Sequence, residues 1–350
     1  MRRSVPHGSA VRRSLPHDSA VGQSAPHDAA VHQSVLYEAA VHQSLPREAG
    51  MRQSAPHEAA VHQSVLYDEV LEALQPRPGV GYHAVDCTTN GGGHAYGLLE
   101  QSSPDGFLTG LDADASALGA AEERLKPFSG RFELIQRNFR YLAGLAEERR
   151  LKDVHGVVFD LGLSSTQLDQ SGRGFSFRFD EPLDMRFDPS GGETAADLLN
   201  RLPEPELERV LREYGEEPRA RRVARTIVER RTRTPFERTS QLVSVMGQQR
   251  GRIHPATRVF QALRIAVNDE LSALEEGLEA ALRLLRPGGR VAVISFHSLE
   301  DRIVKWRFRG WADGGLVRTL TRKPQVPAEA ELAANPRARS AKLRVAERIA

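Results

Sequence analysis

Short apolar runs alternate along this chain with longer segments in which apolar residues recur every three or four positions. The short runs predict strands at 83–88, 107–112, 131–136, 154–161 and 290–296. The periodic segments predict helices at 65–74, 94–101, 115–125 and 141–150, with a long amphipathic helix or helix pair over 257–285. Strands and helices in strict turn imply an α/β fold with a parallel, doubly wound sheet. The alternation fails over about residues 170–255, a polar, helix-forming stretch in which Thr194 is placed to cap a helix. We therefore expect a core domain of residues 62–171 and 256–350, interrupted at 172–255 by a helical subdomain that recognises substrate.

The residues before 62 carry no such pattern. From Ser4 a unit repeats every ten residues, and His32–Tyr37 recurs identically as His62–Tyr67. The last copy runs straight into the first helix, so the upstream copies read as tandem duplications of the domain's own leader. Pro and Ala are frequent there and large apolar residues few, so residues 1–61 are expected to be disordered. Six of the twelve histidines lie in this stretch and a seventh, His62, directly follows it. A metal-binding tail is one further reading of it. Competition of an upstream copy for the docking groove of residues 62–70 is another.

Candidate chemistry starts at Val85-Asp86-Cys87-Thr88-Thr89-Asn90-Gly91-Gly92-Gly93-His94. It reads as a strand, a glycine-rich turn and the start of a helix. Adjacent glycines let the backbone pass close to a ligand. Asp112, at the end of the next strand, stands about 20 residues on, where an acid meets a ribose diol. A dinucleotide would place its pyrophosphate on such a turn. This turn is not G-x-G-x-x-G, and Asp86 would repel phosphate. A carboxylate there suits a ligand carrying an ammonium and a sulfonium, which favours S-adenosylmethionine over a nicotinamide coenzyme. Ligands in open α/β sheets sit beyond the carboxyl ends of strands. Asp160, Ser164, Ser165 and Gln167 after the fourth strand, and His297 after the fifth, should face that region. Each taken singly has a plain reading as a cap or turn residue.

Composition adds bounds. The single cysteine, Cys87, excludes an intramolecular disulfide and fits a reducing cytoplasm. No Cys/His cluster has zinc spacing, so no metal is expected. No apolar run approaches a membrane span, and the N-terminus lacks the apolar core of a secretory signal. A net charge of +2 does not announce a nucleic-acid binder. Its distribution is more telling: Arg219, Arg221, Arg222, Arg225, Arg230 and Arg231 crowd one segment, and Arg302, Lys305, Arg307 and Arg309 surround Trp306 and Phe308.

Many motifs occur together over about residues 62–350. They include His62–Glu69, Asp160–Gln167, Arg173-Gly174-Phe175-Ser176-Phe177, Pro182-Leu183-Asp184-Met185-Arg186, Tyr214–Glu217, His254–Arg258, Phe260–Ile265, Ser295–Lys305 and Asn335–Ser340. In this set the chain resembles the RsmH (MraW) family of bacterial small-subunit ribosomal RNA cytosine-N4 methyltransferases. The resemblance implies a class I methyltransferase fold with a helical insertion, S-adenosylmethionine as methyl donor, and methylation of the exocyclic N4 of a decoding-centre cytosine in 16S ribosomal RNA. It implies cofactor contacts at Gly92, Gly93, His94, Asp112, Phe139, Asp160 and Gln167, with Phe139 flanking the adenine and Asp112 accepting from the ribose. Asn90 departs from the family, which usually has glycine there, and Thr89 stands where it has an apolar residue.

For the chemistry, Asp160 and the loop after it are expected to hold the amine, with Asp184 and His297 as further catalytic candidates. Arg186, Arg222, Arg258, Ser164, Ser165 and the 302–309 segment are candidates for holding the RNA in the small ribosomal subunit. A DNA amino-methyltransferase is the alternative enzyme, and the missing Pro-Pro-aromatic motif argues against it. A non-catalytic assembly factor is the alternative outside enzymes, with Asn90 as its one supporting feature. Oligomeric state is open, a homodimer included.

Overall fold

The computed structural model describes residues 64–246 and 254–349, all within one compact unit. The expectations for the repeat, its histidines and its docking lie outside the described residues.

Seven strands form one sheet: β1 (His83–Asp86), β2 (Phe107–Asp112), β3 (Phe132–Gln136), β4 (Val154–Asp160), β5 (Leu285–Ser295), β6 (Val317–Thr319) and β7 (Lys342–Arg348). Their order is β3-β2-β1-β4-β5-β7-β6. Strands β1 to β5 run parallel, and β7 lies antiparallel between β5 and β6. The chain moves outward from β1 to β3 and then returns to β4 on the other side of β1. That reversal opens a crevice beyond the carboxyl ends of β1 and β4.

The first helices are α1 (Tyr67–Leu74), α2 (Gly93–Gln101), α3 (Ala115–Leu125), α4 (Leu142–Arg149) and the short α5 (Ser165–Asp169). The inserted stretch forms α6 (Ala195–Arg201), α7 (Glu204–Glu213), α8 (Ala220–Arg231) and α9 (Thr239–Met246). After it come α10 (Ala256–Asn268), α11 (Glu270–Leu284), α12 (Ser298–Asp313) and α13 (Glu329–Ala334).

Burial on both faces explains the continuous apolar runs of the central strands. Val157, Phe159, Val291 and Val293 pack with α4, α11 and α12, whereas Val158, Ala292 and Ile294 pack with α1 and α2. A third cluster, from Phe175 to Leu263, belongs to α6–α10 and the irregular segment before them. Helix α10 gives Val259, Phe260 and Leu263 to it, so the apolar packing of the inserted stretch runs past residue 255. Thr194 caps α6 in a box with Asp197, as its position predicts. The 257–285 pattern resolves into two helices, broken at Asp269.

Candidate active site

A cleft opens at the crevice the sheet topology defines. Thr88, Asn90, Asp112, Phe139, Asp160 and Gln167 line one side, and Phe187, Asn268, Glu270 and Glu300 contribute from α10–α12 and the inserted stretch. About 630 Å³ of empty space lies within it, part of it open to solvent, which suits a cofactor-sized ligand.

The turn after β1 is held by paired contacts across the strand ends. Thr88 Oγ1 accepts from the backbone N–H of Asp160 at 2.6 Å, tying β1 to β4. Asp112 accepts from the backbone of Asn90 at 2.8 Å and of Asp114 at 2.9 Å, one to each oxygen. A carboxylate has further lone pairs, so acceptors remain for ribose hydroxyls. Asn90 sits at φ 48, the left-handed region that Asn tolerates better than other residues with a Cβ. Its replacement of the family's glycine therefore leaves the turn intact.

Gly92, Gly93 and His94 lie behind the residues that line the cleft. A Cβ on Gly93 would sit 1.8 Å from Ser64 Oγ, so the leader packs directly on this glycine. His94 is buried, and its Nε2 donates to the Val65 carbonyl at 3.1 Å. That fixes the proton on Nε2 and leaves the Nδ1 lone pair 3.6 Å from Asp160 Oδ2. Burial also pulls the His94 imidazole down to about 4, so no cation is present there to hold Asp160 charged.

Phe139 meets Phe159 edge to face at 5.4 Å. Gly277 makes room for it, since a Cβ there would stand 2.8 Å from the Phe139 ring. Gln167 is the third residue of α5 and closes a capping box with Ser164. Its Nε2 donates to Asp114 at 3.1 Å, and Asp114 also receives the Arg173 guanidinium. Gln167 thus joins the end of β2 to the inserted stretch. Ser165 begins α5 beside it.

Of the three catalytic candidates, only Asp160 lines the cleft. Burial, then the neighbouring Asp86 and Glu300, push its carboxyl well above the usual range. Asp184 is taken up by Arg186, which holds both of its oxygens at 2.7–2.8 Å. His297 caps α12. Arg186, paired in this way, lines a second, polar groove beside the cleft with Arg137 and Tyr141. Arg222 is exposed on α8 and Arg258 is half-buried on α10.

Cleft residues that the sequence reading did not single out include Asn138, Phe187, Asn268, Glu270 and Glu300. Asn268 and Glu270 flank the α10–α11 break, which an uninterrupted apolar period conceals. Glu300 lies inside the Ser295–Lys305 motif.

The parallel sheet with its antiparallel seventh strand, the acid ending β2 and the cleft at the switch point define a class I methyltransferase. The chain belongs to the MraW methylase family, whose model matches residues 59–349. It is 54% identical over 301 residues to the ribosomal RNA small subunit methyltransferase H of Citrifermentans bemidjiense, covering 80% of this chain and 96% of that protein. The corresponding protein of Geobacter sulfurreducens is 53% identical with the same coverage. Among solved structures, an rRNA methylase from Clostridium thermocellum aligns over 83% of this chain and 98% of its own, with 12% identity and a TM-score of 0.42.

The cofactor is S-adenosylmethionine, as the sequence led us to expect. The cleft fits it: Asp160 Oδ1 on its wall, and Asp86 Oδ2 at the buried end of β1, have no hydrogen-bond partner, and buried acceptors of that kind call for a cationic ligand. Among the described residues, no helix is long and apolar enough to cross a membrane.

Proposed function

We propose that this methyltransferase modifies the exocyclic N4 of a decoding-centre cytosine in 16S ribosomal RNA, acting in the cytoplasm. The carrying observation is an acid-lined cleft, with Asp160 on its wall, in a chain about half identical to proteins named for methylating small-subunit ribosomal RNA. The bound cofactor supplies an electrophilic methyl group. Cytosine N4 is a poor nucleophile because its lone pair is conjugated into the ring. The site must hold the amine in line with the methyl carbon, and positioning of this kind lowers the barrier by several kcal/mol, of the ~7–11 available. Asp160 Oδ1, buried and unpartnered, accepts from the amine and faces the positive charge that grows on nitrogen. Gly92, Gly93, His94, Asp112, Phe139 and Gln167 hold or support the cofactor.

The target base must leave its stack to reach the cleft. The inserted segment 172–255 recognises the RNA together with α10, Arg222 and Arg186 of the insertion and Arg258 of α10 being the phosphate partners and Ser164 and Ser165 lying at the cleft rim. The exposed Trp306, flanked by Lys305 and Arg309 at 5.4 and 5.5 Å from its ring, adds a basic and aromatic face on α12. RNA affinity should fall at least tenfold between 50 and 200 mM salt, roughly the scale for several neutralised phosphates. Salt-independent binding would remove these arginines from the interface.

Small-subunit RNA from a deletion strain tests the function itself. Nucleoside mass spectrometry should show loss of one N4-methyl group, restored by the wild-type gene. An unchanged methylation pattern rejects the assignment.

A further inference from the structure

Across the cleft from the glycine turn, Asp269 breaks the chain between α10 and α11 at φ 47, ψ 47. Left-handed backbone at a residue with a Cβ is held only where its surroundings demand it. The break brings the residues on either side of it, Asn268 and Glu270, to the cleft wall. Asn268 is already committed: it donates to the Met185 and Arg264 carbonyls and accepts from the Phe187 N–H. Glu270 lines the cleft, as Asp184 does not, although one arginine holds both of its oxygens as Arg186 holds those of Asp184. Arg264 grips its carboxylate at 2.7 and 2.8 Å, and the two side chains are only 7% and 10% exposed.

His297 and Glu300 of α12 complete the cluster, with side-chain atoms of all three residues within 4.8 Å of one another. His297 Nδ1 accepts from the Glu300 backbone N–H at 3.4 Å, which assigns the ring proton to Nε2. That Nε2 is buried and lacks a hydrogen-bond partner, 3.2 Å from Glu300 Oε1. An N–H in that position is a donor among carboxylates. The cluster is therefore built to steady negative charge at the cleft wall rather than to offer three lone pairs to a cation.

We propose that Glu270 is the group that takes the proton released by the target amine, with Arg264 and His297 as its positioning residues. The proposal rests on the exocyclic-amine substrate argued above. The N4 lone pair forms the new bond to the methyl carbon as that carbon's bond to sulfur breaks, the electron pair going to sulfur. The nitrogen, now positively charged, loses one proton to the Glu270 carboxylate. The products are a neutral methylamino group and a neutral carboxylic acid, which returns its proton to solvent as the RNA leaves. Glu300 is bound through Oε2 to the N–H groups of Phe296 and His297.

Two measurements on the full-length protein test this. Glu270→Gln keeps a hydrogen-bond acceptor but cannot hold the proton. Single-turnover methylation at saturating cofactor should fall by about 10²–10³-fold, within the range for losing a positioned base, with the cofactor still bound in calorimetry. In the second, RNA binding is measured without cofactor, using RNA whose target cytidine is replaced by the 2-pyrimidinone nucleoside, which lacks the amine. Wild type and Glu270→Gln should both prefer the amine-bearing RNA, and Glu270→Leu should lose that preference. Wild-type turnover in Glu270→Gln, or undiminished preference in Glu270→Leu, overturns the proposal. Should Glu270→Gln fail to fold, Glu270→Asp carries the test: withdrawing the carboxylate by one methylene should slow transfer about tenfold, an order below the loss of a positioned base, and an unchanged rate overturns the proposal. Wild-type protein that leaves the cytosine amine unmethylated would instead reject the substrate reading.

Discussion

Asp160→Asn is expected to slow single-turnover methyl transfer by about 10²–10³-fold, the scale on which one preorganised electrostatic contact acts, while the ligand-free protein melts no lower than wild type. The two halves of this result come from one cause. Asparagine has the shape of aspartate, so the amide can keep Oδ1 toward the cleft and offer an N–H to the bare lone pair of His94 Nδ1, 3.6 Å away in the native protein. Only the charge is removed. In the empty cleft that charge is a burden, because Asp160 is buried beside Asp86 and Glu300, and all three raise the cost of ionising it. Its folded-state pKa lies above the unfolded value. The wild type therefore loses stability as pH rises from about 4, and the variant is spared that loss. During the reaction the same charge faces a nitrogen becoming positive, and there it accelerates. Stability and activity moving apart on an isosteric change identify a carboxylate kept for chemistry. Single-turnover assays on RNA beside calorimetric melts at pH 7.5 measure both. Wild-type transfer would remove Asp160 from the mechanism.

The sequence disclosed the sheet's parallel half, and of the residues it put at the cofactor Asp112, Phe139, Asp160 and Gln167 line the cleft while Gly92, Gly93 and His94 do not. Those strands are buried on both faces, so their apolar runs stand out, and the turn carries its chemistry within ten consecutive residues. The sheet's far edge was illegible for a physical reason. In β7 the residues Lys342 and Arg344 interrupt the apolar run, and they belong in a sheet only because Asp301 of α12 lies within 3.5 Å of both. No local pattern reports a partner 41 or 43 residues away. The α10–α12 wall of the cleft was hidden in the same way. Glu270 reads as one more polar position on a long helix until the left-handed turn at Asp269 and the grip of Arg264 are seen. Asp184, a catalytic candidate within a recognisable motif, is held by Arg186 two residues on and does not line the cleft.

Cofactor affinity should weaken about 30-fold or more from pH 7.5 to pH 5.5, and the cause should trace to Asp86. Its carboxyl is pushed up to about 7, by burial first and by the Asp112 charge in addition, against a backbone contact from Thr88 that lowers it. Asp112 is raised to about 6, again mainly by burial. At pH 5.5 both acids hold protons in the free protein. A ligand with a sulfonium and an ammonium favours their charged forms, so its binding must expel protons. A group whose pKa is higher in the free protein than in the complex makes binding tighten as pH rises through the free-protein value. One proton lost from a group at about 7 gives roughly 1.5 logarithmic units by pH 5.5, each worth about 1.4 kcal/mol. Stability of the ligand-free protein runs the opposite way, since the same raised pKa makes the folded state bind more protons than the unfolded chain between about pH 4 and 7. Calorimetry in buffers of different ionisation heat reads the released protons directly. Asp86→Asn should flatten the pH dependence while keeping the Thr88 turn, because its amide oxygen can still accept the Thr88 N–H that Asp86 Oδ1 accepts at 3.1 Å. An affinity that stays level across this range, with no proton release, would show that the cofactor's cationic groups bind away from Asp86.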